Sequence, residues 1–126
     1  MSWQAYVDTN LVGTGKVAKG ALLGHDGSLW ATSPDFKVGA DEAKNLIAAF
    51  DDINEISKNG LKLEGNKYVF LRNIGNSIYA RNGSAGVCCT KTGQAVIVGY
   101  YDATMQAGGC NTVVEGLGTY LIGQGY

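Results

Sequence analysis

The stretch from Lys67 to Tyr101, KYVFLRNIGNSIYARNGSAGVCCTKTGQAVIVGYY, limits the possible folds more than any other part of the chain. Four runs rich in Val, Ile, Tyr and Phe are separated by Asn73-Ile74-Gly75-Asn76, Asn82-Gly83 and Thr92-Gly93. Asn and Gly tolerate the positive φ that tight hairpin turns require. The connections are too short for a helical crossover, so neighbouring strands must run antiparallel. The stretch reads as a four-stranded meander.

Its alternation leaves apolar residues on both faces. Tyr68 and Phe70 point one way, Val69 and Leu71 the other; Ala95 and Ile97 oppose Val96, Val98 and Tyr100. That pattern predicts a sheet covered on both faces, with the covers supplied by the rest of the chain. With 126 residues, 45% of them apolar and 17% charged, residues 1–126 make one domain with a real core. A net charge of −1 gives no general attraction to nucleic acid or anionic membranes. No apolar run reaches the roughly 18 residues that cross a bilayer. The opening MSWQAYVDTN lacks the basic and apolar regions of a signal peptide.

Helical patterns flank the meander. Ser2 suits the N-cap of a first helix, roughly Trp3 to Leu11, in which Trp3, Tyr6, Val7 and Leu11 recur at helical spacing. Gly13 and Gly15 close it. Val17 to Leu23 and Ser28 to Thr32 read as a hairpin across Asp26-Gly27, which leaves His25 on a solvated turn. After Ser33-Pro34-Asp35, Asp41 opens a helix to about Phe50 with Ala43, Leu46, Ile47 and Phe50 as its stripe. Asp41 and Glu42 suit its positive end. A helical turn through Ile53 and Ile56 stops at Asn59-Gly60. Leu61 to Leu63 is a short strand, turning at Gly65-Asn66 into the meander. After a loop over 102–107, a last helix from about Gly109 to Ile122 aligns Val113, Val114, Leu117, Tyr120 and Leu121, and Gly123 and Gly125 end it. Gly116 and Gly118 each weaken a helix by about 1 kcal/mol relative to Ala. Either the helix is weak there or a neighbour packs closely.

The residues offer little for catalysis. There is one histidine, and no G-x-S-x-G, P-loop or G-x-G-x-x-G follows a strand, so no catalytic residue is assigned and the chain reads as a non-enzyme. Three cysteines contain no C-x-x-C pair; Cys88 and Cys89 fall on opposite faces of one strand and read as reduced core thiols of a cytosolic protein, without a metal site. Binding features remain. Trp3, Tyr6, Tyr120 and Tyr126 collect at the two chain ends and become neighbours if the terminal helices pack together. Spacing alone favours a core role for Trp3 and Tyr6. Clustered Trp and Tyr can also line a groove for proline-rich peptide, whose polyproline II helix is already ordered. Lys67, Arg72, Arg81 and Lys91 make either a basic surface for an acidic partner or, the plainer reading, an ordinary solvated face.

Several separated motifs, in order along the whole chain, resemble profilin, most closely the short amoeboid and fungal type. They are the opening MSWQAYVDTNLVGTG, then Trp30-Ala31-Thr32-Ser33, Ser77-Ile78-Tyr79, and the ending Tyr120-Leu121-Ile122-Gly123-Gln124-Gly125-Tyr126. The resemblance implies an α+β fold: a central antiparallel sheet, the N- and C-terminal helices on one face and the middle helices on the other.

It also implies a function: binding monomeric actin, promoting nucleotide exchange on it, and delivering it to assembly factors such as formins through their proline-rich segments. Binding of phosphatidylinositol bisphosphate is implied as well. No cofactor and no nucleic acid is implied, and the setting is the cytoplasm and cytoskeleton, as a monomer. The proline-binding residues map onto Trp3, Tyr6, Trp30, Tyr120, Leu121 and Tyr126. The actin-binding residues map onto Arg72, Tyr79, Arg81, Lys91, Thr92, Gln106, Gly108, Asn111 and Glu115. The chain departs from the family at Ala80-Arg81, where Gly-Lys is usual, at Ala107, where Pro is usual, and at Gly116, where a basic residue is frequent. These departures keep a second reading open, a proline-peptide adaptor with weak actin affinity. A third, a small-ligand sensor, would need an internal pocket.

Overall fold

A computed structural model describes residues 2–126. The Ser2 hydroxyl accepts the Ala5 amide at 3.1 Å and caps α1 (Trp3–Ala5). The chain then widens: Tyr6–Leu11 is π-helical, and the Val12 amide reaches back to the Val7 carbonyl. A 3-10 turn, Val12–Thr14, tightens it again, and Gly15 leaves at φ +77°. The expected first helix is present but is not uniformly α. The widening brings the Asp8 carbonyl oxygen to 2.7 Å from where a Cβ on Gly13 would sit, so no larger residue fits. Tyr6, Val7 and Leu11 are buried by this segment.

The strands are β1 (Lys19–Gly24), β2 (Leu29–Thr32), β3 (Leu61–Leu63), β4 (Asn66–Ile74), β5 (Ser77–Asn82), β6 (Ala85–Lys91) and β7 (Ala95–Tyr101). They form one seven-stranded sheet in the order β2-β1-β7-β6-β5-β4-β3. All neighbours are antiparallel. The meander is therefore as read, β4 to β7, with the first hairpin added beyond β7. The turn into β4 falls at Glu64-Gly65, one residue earlier than expected. Both residues have positive φ, and the Glu42 carboxylate accepts the amides of Gly39, Glu64 and Gly65 at 2.8–2.9 Å. His25 is half-buried rather than solvated, with Nε2 3.2 Å from the Ala95 carbonyl oxygen.

Helices α2 (Ala40–Asp51) and α3 (Asn54–Asn59) cover one face. Their Ala43, Leu46, Ala49 and Ile56 pack with Leu23, Ile78, Val87, Cys89, Val96 and Val98. The N-terminal segment and α4 (Ala107–Gly123) cover the other, where Val7, Leu11, Val114, Leu117 and Leu121 pack with Leu22, Cys88 and Ile97. Cys88 and Cys89 thus enter different cores, as period-two geometry requires.

Two glycines let α4 approach the sheet. Val114 fills the place a Gly99 side chain would take, and a Cβ on Gly118 would lie 2.8 Å from Thr90 Cγ2. The second face is not covered throughout. α4 rests on β6 and β7, so Val69 and Leu71 on β4 stay 62% and 48% exposed, beside a bulge between Phe70 and Arg72. The expectation of complete two-sided cover fails at this strand.

Candidate functional site

The two ends of the chain meet on one face of the sheet, where Tyr126 stands against Trp3. The Gln4 side chain bonds the Thr32 carbonyl at 2.9 Å and Asp8 at 3.0 Å, which ties the first helical turn to the end of β2. Trp3 is thereby set against Trp30, with ring centroids 4.7 Å apart. From Trp3 the rings continue to Tyr6 at 5.7 Å and to Tyr126, edge-on, at 5.0 Å; Tyr6 continues to Tyr120 at 6.1 Å. Five of the six residues expected at a proline site form this continuous shelf. Trp3 and Trp30 are half-buried, and Tyr120 and Tyr126 are 50% and 40% exposed. Tyr6 is nearly buried; burial first, and the Tyr120 hydroxyl second, hold its phenol above the ordinary value. The sixth, Leu121, is fully buried in the core. It supports the shelf from below and cannot touch a ligand, because the helical turn that exposes Tyr120 points its neighbour inward.

An open groove of about 470 Å³ continues from Tyr6 and Tyr120 between the terminal helical segments, past Asn10, Thr14, Thr112, Val113, Gly116 and Leu117. It lies on the surface, not inside the domain as a sensor pocket would. Gly116 opens onto it, with nothing within 4 Å of its missing Cβ.

A second surface lies where β4 and β5 emerge beyond α4. The Tyr79 hydroxyl donates to the Glu115 carboxylate at 2.6 Å, and the Arg72 guanidinium stacks 5.2 Å over the Tyr79 ring. Burial, and then this bond, push the Tyr79 phenol up to about 12, so it stays a donor at neutral pH. Arg72, Tyr79, Tyr101 and Asn111 border one hollow of about 210 Å³ with the exposed Leu71. Arg81 is exposed and sits in β5 on the same face, two residues from Tyr79. Gln106 occupies the N-cap position of α4 without a side-chain capping bond, and Gly108 lies in its first turn, both exposed.

Lys91 and Thr92 are not brought to this cluster. Lys91 is paired in register with Val96, which belongs to the α2–α3 face, and its ammonium lies 3.8 Å from Asp51 on α2. Thr92 is only 5% exposed and offers little surface to a partner. One position separates Lys91 from Thr90, and in a strand that step changes the face. The resemblance mapped both onto a partner surface; register puts Lys91 on the opposite face of the sheet and burial leaves Thr92 little exposed area. The Thr92-Gly93 turn is where the sequence placed it, but its contact with Tyr126, like that of Gln4 with Thr32, carries no sequence signal because the partners are distant in the chain.

Among the described residues no group of three His, Cys, Asp or Glu side chains could hold a metal ion, and no helix is long and apolar enough to cross a membrane.

The architecture defines an α+β domain on a single antiparallel sheet, with an aromatic shelf where its two ends meet. A model of the Profilin family matches residues 1–126. Profilin-2 of Acanthamoeba castellanii is 49% identical over 126 residues, covering all of both chains. The solved structure of A. castellanii profilin IB superposes with a TM-score of 0.97 at 49% identity, covering 99% of this chain and 100% of that one. Mouse profilin IIa, solved in complex with a double repeat from the FH1 domain of mDia1, shares the fold at a TM-score of 0.82 and 20% identity, covering 100% of each chain. The chain belongs to the profilin family.

Proposed function

We propose that this chain is a cytoplasmic, non-catalytic regulator of the actin cytoskeleton, acting as a one-domain monomer. It binds monomeric actin, promotes nucleotide exchange on it, and binds proline-rich segments of actin assembly factors such as formins. Family membership supports the first two statements, and the aromatic shelf supports the third.

The observation that carries the proline reading is the row of rings from Trp30 through Trp3 and Tyr6 to Tyr120, in steps of 4.7, 5.7 and 6.1 Å. A polyproline II helix repeats about every 9 Å, so alternate rings can meet successive turns. Proline carbonyls have no amide of their own to pair with, and the indole N–H and phenol groups supply donors. The complex of mouse profilin IIa with a double repeat from the FH1 domain of mDia1 supports such a ligand on this fold.

For actin, we assign Arg72, Tyr79, Arg81, Asn111 and Glu115, with Gln106 and Gly108 at the edge. Exposed cations here would steer an acidic partner and raise its association rate. The adaptor reading draws on Ala80, Ala107 and Gly116. Gly116 lines the groove shared with Tyr6 and Tyr120, so its missing side chain takes nothing from the hollow at Tyr79.

Polyproline resin and monomeric actin, offered in parallel, test the two surfaces. Trp3→Ala should lose resin retention and keep actin binding, while Arg81→Glu should do the reverse. A folded Trp3→Ala protein retained like the parent would remove the shelf from the function.

A further inference from the structure

Tyr126 contributes the ring that branches from Trp3, yet its segment leaves α4 through Gly125 at φ +88°. Its ring is held by backbone bonds on both sides. Its amide donates to the Leu121 carbonyl at 2.9 Å, and its carbonyl oxygen faces the β6–β7 turn, Thr92-Gly93-Gln94. The Gln94 amide donates to that oxygen, the Thr92 hydroxyl donates to it at 3.0 Å, and the Gln94 side chain donates to the Gly125 carbonyl at 3.2 Å.

We propose that the β6–β7 turn is a clasp that holds Tyr126 in the aromatic shelf, which makes Thr92 a positioning residue for proline-peptide binding; this rests on the proline reading given above. Three independent features point to it. The first is the hydroxyl's orientation. Thr92 Oγ1 accepts the Ala95 amide at 3.0 Å and has one hydrogen to give. Each candidate acceptor already receives one backbone amide, and the Tyr126 oxygen at 3.0 Å is nearer than the Ala95 carbonyl at 3.3 Å, so the hydrogen goes to Tyr126. The second is Gly93. Its φ is not positive, so the turn itself does not demand glycine, but a Cβ there would stand 3.2 Å from the Tyr126 oxygen. The third is burial: at 5% exposure the Thr92 hydroxyl serves the interior contact and no outside partner. The clasp joins residues 34 positions apart and sets the ring that stands edge-on to Trp3 at 5.0 Å.

The test compares tryptophan emission without ligand and polyproline affinity in Thr92→Val, Thr92→Ser, Gly93→Ala, Tyr126→Ala and the double variant Thr92→Val/Tyr126→Ala. Thr92→Val should shift emission toward that of Tyr126→Ala and weaken polyproline binding about fivefold, the equivalent of one hydrogen bond of about 1 kcal/mol. Gly93→Ala should act in the same direction with the hydroxyl intact, and Thr92→Ser should restore the parent's behaviour. In the Tyr126→Ala background Thr92→Val should cost nothing further, since no ring remains to position.

The clasp is overturned if Thr92→Val and Gly93→Ala keep both the parent's emission and its affinity. It is equally overturned if Thr92→Val costs as much with Tyr126 already removed, which would place the effect in general stability. A parent protein that ignores polyproline would defeat the functional reading, while the ligand-free emission comparison would still decide the clasp.

Discussion

Gly116 and Gly118 are two residues apart in the middle of α4, and replacing each by alanine should have unequal effects on stability, a gain at Gly116 and no gain at Gly118. Both substitutions gain the same intrinsic term, about 1 kcal/mol of helix propensity. They differ in what the new methyl group meets. At Gly116 nothing lies within 4 Å, so the gain is realised in full. At Gly118 the methyl would stand 2.8 Å from Thr90 Cγ2. Thr90 cannot swing aside: it is 1% exposed, β-branched, and its hydroxyl is 2.8 Å from that of Ser77. The helix must lift or the core must shift, at a cost of about 1–3 kcal/mol.

The propensity term cancels in the difference between the two variants, so the gap between them measures the steric cost alone. An unfolding entropy of about 2.1 cal/mol/K per residue makes 1 kcal/mol worth about 4 °C in a chain of this length. Gly116→Ala should therefore melt about 4 °C above the parent, and Gly118→Ala about 4–12 °C below Gly116→Ala. Urea unfolding should reproduce the order with an unchanged slope, since neither variant alters the surface exposed. A lower melting temperature for Gly116→Ala, or equal values for the two variants, would refute the assignment of one open glycine and one packed glycine.

Other outcomes follow from the same geometry. Tyr79→Phe should cost about 1.5–3 kcal/mol at neutral pH, because it removes a buried donor to a carboxylate. The folded Tyr79 phenol is raised to about 12, so its stabilising contribution is complete below its ordinary value near 10 and is lost as pH rises through 12. An alkaline unfolding series in which the parent and Tyr79→Phe differ equally at every pH would contradict this. Arg81→Glu should slow association with actin at low salt more than Lys91→Glu, whose ammonium pairs with Asp51 on the other face; equal effects would return Lys91 to the interface. Cys88, Cys89 and Cys110 are buried and free, so their labelling by a thiol reagent should track global unfolding. Fast labelling of the native protein would show local opening of the sheet.

The amino-acid sequence by itself determined whatever depends on neighbours in the chain. Turn residues at Asn82-Gly83 and Asp26-Gly27, and alternation through Val96, Ile97 and Val98, specify hairpins and their two faces, because tight turns and strand period are local constraints. The Ser2 cap and the stripe of α2 are local in the same way. The sequence motifs also carried the family resemblance, and with it the ring set at Trp3, Tyr6, Trp30, Tyr120 and Tyr126.

The tertiary structure alone decided which side of the sheet each polar residue serves. Lys91 lies with Asp51 because its register partner is Val96, and Leu121 turns into the core one residue after the exposed Tyr120. Val69 and Leu71 read as core by alternation, yet α4 stops short of them. Gly116 and Gly118 are the same residue in the same helix, and only the presence of Thr90 beneath one of them separates a weak point from a packing contact. Thr92 reads as a surface hydroxyl until the chain folds back and brings Tyr126 onto it from 34 residues away. Such contacts carry no periodic trace, because their geometry is set by how whole elements dock and not by the spacing of residues within them.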